Sequence, residues 1–92
     1  MGVLLTHLLK WLAQPDHRSP SWSGSITEQR RRIRLLLSRH PSLRARLPQA
    51  VEATYSRAKA VAATETGLSL RRFPIKCPFS VTEIVDPDFL PE

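Results

Sequence analysis

A chain of 92 residues has room for one modest hydrophobic core and excludes a second domain. Its 41% hydrophobic and 24% charged residues place it outside the range of disordered chains, and a single cysteine, Cys77, excludes a framework of internal disulfides. The formal charge of +6 is unevenly placed: Arg30 to Arg46 holds seven arginines and no acid, while Glu83, Asp86, Asp88 and Glu92 stand in the closing stretch without a base. Phosphate, an anionic membrane, an acidic protein or the chain's own acidic tail are the partners such a basic stretch fits.

The opening residues, Val3 to Ala13, read as a helix in which Trp11, Leu4, Leu8, Leu12, Leu5 and Leu9 cover nearly half the circumference, with Thr6 and Lys10 opposite. The run has no basic start and no small-residue cleavage site, so it is not read as a signal peptide, and it is too short to span a bilayer. Met1, Gly2 and Thr6 match the loose myristoylation pattern, against which a plain buried helix is preferred. With no membrane segment and one cysteine, a cytoplasmic setting is expected.

Gln14 and Pro15 end this helix. Ser19 before Pro20 is an N-cap and first-turn pair for a second helix; Ser25-x-x-Glu28 is a capping box for a later start. The early start is preferred because Trp22, Ile26, Gln29, Ile33, Leu36 and Leu37 then share one side, with His40 on the same line. Pro41 stops the helix, and Ser42 to Arg46 reads as one helical turn. Pro48 opens a third helix in which Val51, Thr54, Tyr55, Ala58, Val61, Ala62 and Glu65 share a face. Its alanines allow close approach of a neighbour, for which Ile33 and Leu37 of the second helix are the expected fillers. Gly67 suits a left-handed C-cap. Beyond it Pro74, Pro78, Pro87 and Pro91 forbid a long helix, yet Phe73, Ile75, Phe79, Ile84, Val85 and Phe89 are too apolar for a free tail. Ser80-x-x-Glu83 predicts a short helix over Val81 to Asp86 within that wrap. The fold expected is an all-α bundle of three main helices with a Pro-rich C-terminal wrap.

The arginines are the loudest chemical signal. Arg30, Arg31, Arg34, Arg44 and Arg46 form the candidate polyanion surface, but the angular spread of the run and its lack of aromatics point to a solvated face more than to a nucleic-acid stripe. His7, His17 and His40 lack the spacing of metal ligands or bases. Lys76 beside Cys77 would lower a thiol pKa, though a lone cysteine between prolines is more often a small buried side chain. Among core-facing polar groups, Gln29, Tyr55, Glu65 and Trp22 form a candidate network. With helices two and three antiparallel, Tyr55 falls near Gln29 and Ile33, and Glu65 near Trp22, within reach of its indole N–H or free helix amides. No residue set points to catalysis, a metal or a cofactor.

Several fragments occur together: His7 to Trp11 followed by Gln14-Pro15, then Trp22, Glu28 to Ile33, His40 to Arg44, Tyr55 with Ala58, Glu65 to Leu68, and Phe73 to Phe79 with its Cys77-Pro78. This order resembles the small bacterial all-helical family termed domain of unknown function family 29. The resemblance implies a compact cytoplasmic helical bundle and carries over no activity, cofactor or catalytic residue. Members typically have a further helical segment before the position of His7, so this chain is expected to lack it. The face of Leu4, Leu5, Leu8, Leu9 and Leu12 would then want cover, favouring self-association or a partner helix. The expected function is a non-enzymatic protein–protein interaction module, with a nucleic-acid-associated accessory protein using Arg30 to Arg46 as the alternative.

Overall fold

Ser19 and Pro20 start the second helix where the early reading places it: the Ser19 hydroxyl accepts from the Trp22 backbone N–H at 3.2 Å. The computed structural model describes residues 1–92, with α1 at Gly2–Ala13, α2 at Pro20–Arg39, α3 at Leu47–Thr66 and α4 at Val81–Val85. Short 3₁₀ turns at Pro15–His17, Pro41–Arg46 and Leu70–Arg72 join them, and there is no strand. Pro41 ends α2 because its ring disfavours helical geometry at His40, whose φ and ψ are −133° and 72°. The fold is the expected all-α bundle with a C-terminal wrap.

Its middle element is α1. Lys10 meets Trp22 at the start of α2, while Met1 shares a hollow with Leu36 and Leu37 at its end, so the two helices are antiparallel. Against α3, Thr6 reaches Ala58 and Lys10 reaches Glu65, so those two run parallel. α2 and α3 scarcely touch each other; α1 lies between them. Leu4, Leu5, Leu8 and Leu9 are fully buried and Leu12 packs partly against the core. The expectation that this face lacks cover is therefore corrected: two helices bury it within the chain, and even the opposite residues Thr6 and Lys10 are closed in.

The same arrangement corrects the expected filler of the α3 face. Ala58 and Ala62 do allow close approach, but the helix that approaches is α1. The buried line on α3 is Leu47, Val51, Tyr55, Ala58, Ala62 and Ala63, whereas Val61 and Glu65 are exposed. On α2 the buried line is Ile26, Arg30 and Leu37, with Ile33 partly covered; Leu36 and His40 stand in solvent.

The wrap fills the remaining space. Phe73, Phe79, Ile84 and Val85 are buried, and α4 bridges α2 and α3. Its start is fixed by the predicted capping box, in which Glu83 N–H donates to the Ser80 hydroxyl at 3.1 Å and Ser80 N–H donates to Glu83 Oε1 at 2.9 Å. The far end is fastened by Arg18, which donates to the Trp11 carbonyl at 2.9 Å and the Pro91 carbonyl at 3.2 Å while stacking over the Trp11 ring.

Two glycines give opposite predictions. Gly67 closes α3 at φ 72°, where a side chain strains the backbone, so Gly67→Ala lowers stability by about 1 kcal/mol. Gly24 lies inside α2 with open space around its Cα, so Gly24→Ala raises stability by about 0.8 kcal/mol through helix propensity. Urea titration of the two variants checks both signs.

Candidate functional site

The arginine run of α2 divides by depth. Arg30 sits on the core line between Ile26 and Ile33 and is only 2% exposed. Its Nε donates to the Ile84 carbonyl at 2.8 Å and its Nη2 to the Glu83 carbonyl at 3.2 Å, which caps the C-terminal end of α4. Burial lowers its pKa, offset in part by Asp86. Arg30 is thus a fastening for the wrap and not part of an exposed polyanion surface. The acidic tail is met by arginine at its carbonyls: no ion pair joins its carboxylates to the basic run.

Arg31 and Arg32 are exposed but share a partner. Both bond to Glu28, at 2.8 Å and 3.1 Å, and hold its carboxyl down to about 2. The contribution of Glu28 is therefore present above its ordinary value of 4.5 and is lost as pH falls from there toward 2. Arg34, Arg39, Arg44 and Arg46 have no acid partner. Arg34 makes one long bond of 3.5 Å to the Val85 carbonyl.

Arg34 lines two small hollows along α2. Thr27, Arg30, Arg31, Arg34 and Pro87 surround one of about 240 Å³. Arg34 and Arg44 face across the other, about 230 Å³, over Leu37 and Ser38. Thr27, Arg31, Arg34 and Ser38 follow helical spacing, so the basic side is one stripe that the turn Pro41–Arg46 extends with Arg44. Leu37 also belongs to a third hollow on the neighbouring side, about 230 Å³ and almost wholly apolar, formed by Met1, Ile33, Leu36, Leu43, Leu47 and Ala50, with Arg46 at its rim. Leu36, 49% exposed, marks its edge, and Leu35 beside it is also exposed. The end of the bundle where α2 turns into α3 thus carries an apolar hollow beside two arginines, Arg34 and Arg44, that have no acid partner.

The expected polar network separates into two pieces. Trp22 and Glu65 do converge, but through Lys10, a residue placed by sequence on the outer side of α1. Its Nζ bonds to Glu65 at 2.9 Å and lies 4.8 Å from the centre of the Trp22 ring. Glu65 reaches neither the indole nor free helix amides. Tyr55 turns the other way, donating to the Pro74 carbonyl at 2.6 Å, because α1 occupies the space between it and Gln29. Gln29 is half-buried and joins neither piece.

Tyr55 and Cys77 meet in a groove of about 530 Å³ between α3 and the wrap. Burial, with Cys77 nearby, pushes the Tyr55 phenol up to about 12, and burial pushes the Cys77 thiol up as well, against the lowering that Lys76 suggests. Both are neutral at pH 7, and the thiol donates weakly to the Phe79 carbonyl at 3.5 Å. Neither is an activated nucleophile. Tyr55 is the sole tyrosine, so ultraviolet titration reads it directly: the folded chain should ionise near 12 and the urea-unfolded chain near 10. A folded pKa above the unfolded one means this contribution is complete below pH 10 and is lost as pH rises from 10 toward 12. No three His, Cys, Asp or Glu side chains gather around a common point, and no helix is long and apolar enough to cross a membrane.

Fold and surface together define a small all-helical protein with a wrapped C-terminus and one cationic, partly apolar end. The chain belongs to the family of the domain of unknown function DUF29, whose family model matches residues 1–90. No curated protein and no solved structure matches it.

Proposed function

We propose that the protein is a non-enzymatic protein-interaction module of the cytoplasm. The observation that carries this reading is the apolar hollow under Leu36, set beside arginines that have no acid partner in the chain. An exposed apolar edge next to unpaired like charges costs a monomer solubility and self-repulsion; a protein contact that covers both removes the cost. The single test is capture of partners on the immobilised chain from host-cell lysate, with and without nuclease. A protein partner retained after nuclease treatment supports the reading, and loss of all bound protein contradicts it.

The stripe of Arg31, Arg34 and Arg44 favours a second reading, that of a nucleic-acid-associated accessory protein, since it tracks a groove along α2. On that reading, binding to RNA or DNA falls steeply with salt.

A further inference from the structure

We infer that the end of the bundle formed by the last turns of α2, the turn Pro41–Arg46 and the start of α3 docks an acidic amphipathic helix of a partner protein, an inference that rests on the interaction reading above. The hollow formed by Leu36, Leu43, Leu47 and their neighbours takes an apolar anchor, and the Arg34–Arg44 pair beside it takes a carboxylate of the same segment.

Size is the first argument. Each hollow measures about 230 Å³, below the range of about 300–1,000 Å³ usual for small-molecule sites, so each suits one side chain of a larger ligand. Two such hollows meeting at Leu37 match the anchor pattern of a helix laid in a groove, with an apolar residue and a polar one on adjacent lines. Charge is the second. Arg34 and Arg44 line one hollow, Arg46 rims the other, and Arg39 stands exposed on the same end of α2. No acid occurs from Arg30 through Arg46, and the only nearby carboxylate on α2, Glu28, is taken by Arg31 and Arg32. The complement is therefore acidic, and the fork geometry of arginine suits a carboxylate.

Nucleic acid fits this end less well. A phosphate backbone leaves the Leu36 hollow unfilled, and base stacking needs open aromatic faces. Both tryptophans are already covered by a cation, Trp22 by Lys10 and Trp11 by Arg18, and neither lies at this end.

The test uses the full chain and fluorescence anisotropy. The probe is a labelled helical peptide of about 16 residues with leucines at i, i+4 spacing and glutamates between them; the controls are the same peptide with serine for leucine and a single-stranded RNA oligonucleotide. The leucine-bearing peptide should bind about tenfold more tightly than either control, and Leu36→Asp and Arg44→Glu should each weaken it about tenfold. Arg44 is exposed at the surface, so the melt of Arg44→Glu should match that of the parent. Leu36→Asp, at a half-exposed leucine in the last turn of α2, should melt a few degrees lower yet still cooperatively. Equal or tighter binding of RNA, or a peptide affinity unmoved by both substitutions, overturns the assignment. A nuclease-resistant protein partner that is still captured by both variants also overturns it while leaving the interaction reading intact; absence of any protein partner ends both.

Discussion

Replacing Leu8 with alanine should lower stability by about 3 kcal/mol, the cost of emptying a fully enclosed position between two helices. For a domain of this size that is about 15 °C in melting temperature. The figure follows from α1 being the central helix: its leucines at positions 4, 5, 8 and 9 are all at zero exposure, and it packs against both α2 and α3. Leu12 is only partly covered, so Leu12→Ala should cost about 1 kcal/mol. Urea titration monitored by circular dichroism separates the two. If the leucine face were an open docking surface, Leu8→Ala would instead change association and leave the monomer's stability almost untouched.

The second large effect belongs to Arg30. A guanidinium buried to 2% exposure is costly to desolvate, and its burial lowers its pKa accordingly. Against that cost stand two charge-assisted hydrogen bonds to the end of a helix only five residues long, which is not stable alone. Arg30→Met keeps the apolar stem but orphans the Ile84 carbonyl, and should cost about 2 kcal/mol net, or about 10 °C. Arg30→Lys should recover only part of this, since one ammonium does not reproduce a fork that reaches both carbonyls. Amide exchange checks the mechanism as well as the size: the loss should appear first in α4 and the wrap, before α1 or α3 opens.

These two residues also show where the sequence was legible. Element boundaries depended on local chemistry and were readable: Ser19-Pro20, Pro41, Gly67 and the Ser80–Glu83 box each fix a terminus within a few bonds of themselves. Which helix lies between the other two is a long-range matter. A face made wholly of leucine says that a helix is buried but not by what, and the small face of α3 accepts any neighbour. With α1 placed in the middle, Tyr55 loses Gln29 and finds Pro74, while Glu65 finds Lys10.

Arg30 was misplaced for a different reason. Its charge groups it with Arg31 to Arg34, yet its register groups it with Ile26, Ile33 and Leu37, at spacings of four, three and four. Register was the better guide, because an arginine on a core line can be satisfied by backbone carbonyls, and the tail supplies them. Lys10 repeats the pattern: a cation closed in because it stacks on an aromatic ring and bonds a carboxylate. In this chain the two buried cations belong to the fold, and the outer arginines without an acid partner are the ones the proposed docking uses.

That division is tested most directly by the affinity of the leucine–glutamate peptide for the Arg44→Glu chain, measured beside its thermal melt. The account predicts an affinity reduced about tenfold with an unchanged melting temperature, whereas Arg30→Met melts about 10 °C lower. An Arg44→Glu chain that binds the peptide as tightly as the parent, or that melts as early as Arg30→Met, would contradict it.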